Sequence, residues 1–253
     1  MSFDVPADAY EQYMGRYSRP LAHQFVDLVG LVQGHRVLDV GCGPGVLTGS
    51  LVERCGAANV AAVDPSESFV ATCRQRFPES DVRSGSAEAL PFEDGRFDAA
   101  LAQLVVHFMA DPVAGLREMG RVTRPGGTVA ASVWDNAGDS GPLQVFWRAA
   151  GEVDPQAHDE GHMPGAREGH LAELAAEAGL REITSTSLTV SVRFASFEEW
   201  WEPYLLGVGP AGSYVASLDP DLRRQVEESC RRRFPDGEFE QGGTAWVVLA
   251  QAS

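Results

Sequence analysis

Two aspartates around a run of glycines mark the stretch of this sequence best equipped for chemistry. Asp39 stands two residues before Gly41, and Gly41, Gly43 and Gly45 follow at alternate positions. Glycine there lets the backbone take positive φ and lets a ligand approach the main chain. Asp64 lies about twenty residues beyond the glycines, where an acidic residue in dinucleotide folds holds ribose hydroxyls. Together these residues point to an adenosine-containing ligand. Asp39 sits among Val37, Leu38 and Val40, and a buried carboxylate needs donors or a cation. A ligand carrying an ammonium and a sulfonium meets that need, whereas a pyrophosphate is repelled. The glycine spacing also departs from the G-x-G-x-x-G dinucleotide fingerprint.

Other residues offer chemistry farther along. His107 is the expected general base, because an ordinary imidazole titrates near neutrality. Asp135 and His23 are weaker candidates for the same role. Trp134, Trp147, Trp200, Trp201 and Tyr204 are the candidate substrate pocket, with the Trp200–Trp201 pair split, one ring inward and one outward. His158 and His162 are four apart, but Pro155, Gly161, Pro164 and Gly165 break any helix there, so no metal site is expected. The 20 basic residues are all arginine. Without lysine there is no Schiff-base chemistry and no P-loop lysine. Cys42, Cys55, Cys73 and Cys230 form no C-x-x-C pair and read as free thiols of a reducing compartment.

The elements that position these residues alternate. Strands are predicted over 36–40, 59–63, 81–83, 97–102 and 128–134. Helices lie between them, over 46–55 after the glycines, 65–77 and from Asp111-Pro112 onward. Pro20 opens a helix ahead of the first strand, and Pro125-Gly126-Gly127 is a turn. A longer strand is expected over 183–194, a helical and aromatic segment over 196–240, and a last strand over 244–250. Such alternation gives a mainly parallel sheet with helices on both faces.

The chain resembles the class I S-adenosylmethionine-dependent methyltransferases, of the small-molecule branch near the ubiquinone and menaquinone-biosynthesis enzymes. The residues that carry the resemblance are Val37 to Gly45, Ala62 to Ser66, Gly85 to Phe92, Phe97-Asp98 and Arg121 to Gly127. It implies a Rossmann-like α/β fold with a seven-stranded sheet in the order 3-2-1-4-5-7-6, strand 7 antiparallel. It implies one domain over 1–253, with an N-terminal helical cover at 1–33, a cofactor-binding core at 35–135 and a helical cap insertion at 196–240. It implies S-adenosylmethionine as cofactor, leaving as S-adenosylhomocysteine. Gly41, Cys42, Gly43 and Gly45 would meet its amino-acid end, Asp39 its positive charge, and Asp64 with Pro65 and Ser66 its ribose. Ala87 and Glu88 would flank adenine, Gln103 and Leu104 would line the methionine portion, and Arg16 would pair with the carboxylate.

The implied reaction is methyl transfer to O, N or C of a small, apolar or aromatic metabolite. The alternatives are a protein that binds this cofactor without transferring the methyl, as a regulator or partner subunit, and an NAD(P)-dependent oxidoreductase. The formal net charge of −16 argues against nucleic acid and anionic membranes as partners. No apolar run reaches the length of a membrane span. A cytoplasmic monomer or homodimer is expected.

Overall fold

In the computed structural model the residues described are 11–253. The first ten residues of the expected N-terminal cover lie outside them. A π-helical turn, Glu11–Gly15, leads into α1 (Arg16–Val29). Pro20 therefore falls inside the helix rather than opening it. Then follow β1 (Val37–Val40), α2 (Val46–Cys55), β2 (Val60–Asp64), α3 (Glu67–Arg76), β3 (Asp81–Ser84), β4 (Phe97–Gln103), α4 (Pro112–Val122) and β5 (Thr123–Trp134). Asp111 caps α4 by accepting from Ala114 N–H at 2.9 Å, with Pro112 in the first turn. The Pro125-Gly126-Gly127 turn is absorbed into β5 as an irregularity. Phe97 pairs with Thr123 and Ala99 with Thr128, so the pairing skips across it.

Helices α5 (Gln144–Val153) and α6 (His170–Glu177) precede the long strand β6 (Arg181–Phe194). Three short helices follow, α7 (Phe197–Trp201), α8 (Gly209–Ser217) and α9 (Pro220–Arg231), before β7 (Phe239–Gln251). The last strand starts earlier than its apolar run because β6 pairs with it as far as Phe194↔Phe239. The sheet order is β3-β2-β1-β4-β5-β7-β6, with β7 antiparallel to both neighbours.

Apolar side chains fill both faces of the sheet. Phe25 of α1 and Leu51 of α2 pack with Leu101 and Ala130 on one face. Leu116 and Met119 of α4 and Leu171 of α6 cover Ala100, Ala131 and Val133 on the other. Full burial of each large side chain contributes about 2 kcal/mol. A third cluster is aromatic and joins α1, α5 and the helices between β6 and β7. No described helix is long and apolar enough to cross a membrane.

Candidate functional site

The carboxyl ends of β1, β2 and β4 open onto one cleft of about 760 Å³. This edge is where open α/β sheets bind ligands. Gly41 and Gly43 form its floor; Asp64, Pro65 and Ser66 stand on one side, Ala87 and Glu88 on another, and Leu104 and His107 close it.

The glycine turn is tied up by its own protein. Gly41 and Cys42 N–H both donate to the Val63 carbonyl, at 2.8 and 3.0 Å. Gly43 N–H donates to Asp64 Oδ2 at 2.8 Å, and Gly45 N–H to the Cys42 carbonyl at 2.9 Å. A phosphate cradle needs free N–H groups. Here those of the turn are already used. The three glycines also differ in purpose. All have positive φ. A Cβ on Gly41 would strike Val105 at 2.4 Å, and one on Gly45 would strike Phe77 at 2.7 Å, whereas one on Gly43 would meet nothing within 4 Å. Gly41 and Gly45 keep the turn packed, and Gly43 keeps the cleft open.

Asp64 is buried but well supplied. Gly43 N–H reaches one oxygen and Ser66 N–H the other, each at 2.8 Å. Each oxygen keeps further acceptor capacity, as a pair of ribose hydroxyls requires. Burial raises its pKa, opposed by those two backbone donors. Asp39 lies beneath the turn, fully buried, and accepts from Thr48 Oγ1 at 2.6 Å. Burial, and to a lesser degree the nearby Asp64 charge, push it up to about 7 against that hydrogen bond. Two such carboxylates make the floor electronegative and suit a cation above it. Asp39 itself does not line the cleft.

Glu88 is spoken for on both oxygens. One accepts from Ala110 N–H at 2.8 Å and Asp111 N–H at 3.3 Å, the other from Ser86 Oγ. Burial would raise its pKa, but these bonds prevail and hold it below the ordinary range. It therefore fastens the wall to the start of α4. Leu104 sits at φ 61 immediately after β4, a conformation uncommon for a side chain of its size and concentrated at functional sites.

His107 lines the cleft, but not as the base expected of it. It is buried, and burial alone drives its pKa down to about 3. The imidazole is neutral at physiological pH and a poor proton acceptor. Its Nδ1 has no hydrogen-bond partner, and its ring lies 3.9 Å from that of Phe108.

Other expected site residues lie elsewhere. Arg16 pairs with Glu199 at 2.7 Å and stands over the Phe194 ring, away from the cleft wall. Gln103 Nε2 donates to the Ser18 carbonyl at 3.0 Å. Cys42 is buried behind the turn, where burial and the neighbouring Cys73 raise its thiol pKa. Asp135 accepts from Ser140 Oγ at 2.6 Å, Gly138 N–H at 3.0 Å and Trp246 Nε1 at 3.1 Å, so it staples a loop.

Trp134, Trp147, Trp200, Trp201 and Tyr204 all belong to the aromatic cluster. The Trp200–Trp201 pair is not split: both rings are buried, Trp200 against Tyr204 and Phe234 and Trp201 against Phe197 and Tyr204. Tyr204 stacks on Phe146 at 4.6 Å and meets Tyr13 edge-on at 5.3 Å. Trp147 also borders a smaller hollow with His158, Asp159 and His162.

Sequence reasoning missed Glu160, which is 5% exposed. Burial pushes its pKa up to about 7, opposed by the Trp147 indole, which faces it without completing a hydrogen bond. It stands among glycines, histidines and other acids, and no local pattern separates it from solvated neighbours.

Residues 38–131 match the family model described as a methyltransferase domain. The chain is 37% identical over 154 residues to an uncharacterized methyltransferase of Mycobacterium bovis, covering 60% of this chain and 58% of that one. It is 37% identical over 145 residues to a demethylmenaquinone methyltransferase of Renibacterium salmoninarum, covering 57% and 59%. A 37.1 kDa protein from a Streptomyces fradiae transposon is 29% identical over 243 residues, 90% of this chain and 66% of its own length. The chain thus spans about three-fifths to two-thirds of these relatives. Among solved structures, geranyl diphosphate C-methyltransferase of Streptomyces coelicolor, with S-adenosylhomocysteine bound, superposes with a TM-score of 0.55 at 16% identity, covering 94% of this chain and 80% of that one. The 4+2 cyclase SpnF superposes with a TM-score of 0.57 at 20% identity, covering 94% and 82%. At these identities the likeness is one of fold.

Proposed function

We propose that this chain is a class I S-adenosylmethionine-dependent methyltransferase, a reading supported by its likeness to the methyltransferase-domain model and to named methyltransferases, and that it transfers a methyl group from S-adenosylmethionine to a small metabolite with an apolar or aromatic body. The observation that carries the reading is the glycine turn. Its N–H groups are consumed by Val63, Asp64 and Cys42 while buried Asp39 and Asp64 stand around it. That floor is built for a cationic adenosyl ligand and against a pyrophosphate. When bound, the cofactor supplies a methyl group already activated by its sulfonium.

The protein's own residues bind, align and dry the site. Asp64 accepts the ribose hydroxyls through the free capacity of its two oxygens. Gly43 leaves room for the amino-acid end. Leu104, His107 and Met163 close the cleft and exclude water, which leaves alignment of acceptor, methyl and sulfur as the main source of rate. Neutral His107 contributes shape and one hydrogen-bonding nitrogen, not proton abstraction. The aromatic cluster above β4 and β5 gives the acceptor's body a surface to rest on.

Calorimetry with S-adenosylhomocysteine and with NAD⁺ tests the cofactor, and formation of S-adenosylhomocysteine against a metabolite panel tests the transfer. Binding of S-adenosylhomocysteine without NAD⁺, followed by turnover, is expected. Preference for NAD⁺ overturns the cofactor assignment. Tight S-adenosylhomocysteine binding without turnover on any acceptor leaves a cofactor-binding protein that is not a transferase.

A further inference from the structure

Buried side-chain polar atoms without a partner gather between the cleft and the aromatic cluster. Gln103 and Ser132 are register partners at the carboxyl ends of β4 and β5. They share a sheet face with Leu101 and Ala130, the face that α1 covers. Gln103 Oε1, Ser132 Oγ and, from α1, Ser18 Oγ all lack partners. Tyr17 packs edge-on against Trp134 at 6.4 Å. Asn136, two residues past Trp134, has an unpaired Oδ1, and the Gly161 backbone lies against its carbonyl. Glu160 precedes that glycine, with Oε2 unpaired. The Glu160 carbonyl accepts from Met163 N–H at 3.1 Å, and Met163 lines the cleft. Folded proteins leave few such atoms, since each costs about 1–3 kcal/mol. Several in one place mark where a ligand's polar groups belong.

Their chemistry selects the ligand. The Gln103 amide nitrogen is fixed on the Ser18 carbonyl, so its free atom is the oxygen, an acceptor. Glu160 offers a carboxylate. Among the described residues no arginine is buried, and Arg16, whose charge reaches Tyr17, is paired with Glu199, so a carboxylate or phosphate on the acceptor would find no free cation here. From this arrangement, and resting on the function proposed above, we infer that the methyl acceptor is a primary or secondary amine, held as its ammonium by Glu160 beside Trp147 and Tyr204. Its remaining donors face Gln103 and the Ser18 and Ser132 hydroxyls, and its body lies on the aromatic cluster.

Methyl transfer then balances in this way. The ammonium proton passes to Glu160, whose burial suits it to hold one. The freed nitrogen lone pair forms the N–C bond as the C–S bond of the sulfonium breaks. Positive charge moves from sulfur to nitrogen, and the thioether leaves neutral.

The test uses the whole chain saturated with S-adenosylhomocysteine and three matched probes: phenethylamine, 2-phenylethanol and 3-phenylpropionate. Tryptophan fluorescence and calorimetry read their binding. The amine is expected to bind at least about tenfold more tightly than the other two. Glu160→Gln is expected to lose about tenfold or more for the amine with S-adenosylhomocysteine affinity unchanged. The inference is overturned if the alcohol or the acid matches the amine, if none of the three binds, or if Glu160→Gln holds the amine as wild type does. Should that variant not fold, the wild-type ranking decides alone. Failure of wild type to bind S-adenosylhomocysteine would bring down the proposed function and this inference with it. Intact S-adenosylhomocysteine binding with a failed ranking brings down this inference only.

Discussion

Asp64 and Glu160 are both buried carboxylates, Asp64 in the cleft wall and Glu160 three residues before Met163 of that wall, and the protein treats them in opposite ways. Asp64 has a backbone N–H on each oxygen, both from turns that end in the sheet edge. Glu160 faces one indole and no cation, with an oxygen left bare. The difference separates the two halves of the site. The cofactor half is made of main chain held by the sheet, and is ready before anything binds. The cap half is made of side chains whose polar atoms wait for partners. A preorganised half suits a ligand that never changes, and an unsatisfied half suits selection among acceptors.

The largest expected effect falls on the cofactor half. Asp64→Ala should weaken S-adenosylhomocysteine binding at least about tenfold, since charge-assisted hydrogen bonds are lost; calorimetry reads this, and unchanged affinity would remove the ribose assignment. The glycines should then part company. Gly45→Ala places a methyl 2.7 Å from the Phe77 ring at φ 96 and should cost about 2–4 kcal/mol in urea unfolding. Gly43→Ala has open space around it, so its fold should suffer only the cost of a positive φ while cofactor affinity drops. Equal stability losses in the two variants would contradict the division of labour between them.

Much of the cofactor half was legible because its signals are local. Glycine at alternate positions, a strand before and a helix after, and an aspartate at a fixed distance can all be read along one dimension. The alternation of elements gave a mainly parallel sheet, while the strand order followed from the family resemblance. The cap half was not. Trp200 and Trp201 look alike in sequence, and only the rings of Tyr204 and Phe234 packed around them show that neither faces out. Arg16 could be assigned to a ligand because its partner, Glu199, is 183 residues away. His107 reads less well as a base in the structure because burial, not its sequence neighbours, pushes its pKa down. Glu160 was invisible for the same reason.

Titration sharpens the contrast further. Asp39 is held up to about 7 in the fold, against about 4 when unfolded. Its contribution to stability is complete below about pH 4 and is lost as pH rises to about 7. Asp39→Asn keeps the Thr48 contact and should flatten that loss, with the gain over wild type growing from pH 4 to 7 and level above, as thermal unfolding of the ligand-free protein would show. A gain that shrinks with pH would refute the assignment. His107, depressed to about 3, works the other way. It destabilises the fold as pH falls from about 6.5 toward 3, because only the unfolded chain takes up the proton. The smallest effect is expected from His107→Gln, which should make the fold more resistant to acid and leave the neutral limb of the pH–rate profile in place. Loss of a limb near pH 6.5 would restore His107 as a base.

The segment between β6 and β7 leaves and rejoins the sheet at a single place, while its helices also pack on α1 and α5. Phe194 and Phe239 are the last register pair of the β6–β7 hairpin, and their rings stack at 5.5 Å. Everything between them leaves and returns through that one doorway, a strand's width across. Residues 195–238 can thus be exchanged together with the faces of α1 and α5 that they cover, with the hairpin serving as a socket of constant shape. New acceptor preferences could be grafted there while the half that handles the adenosyl group stays untouched.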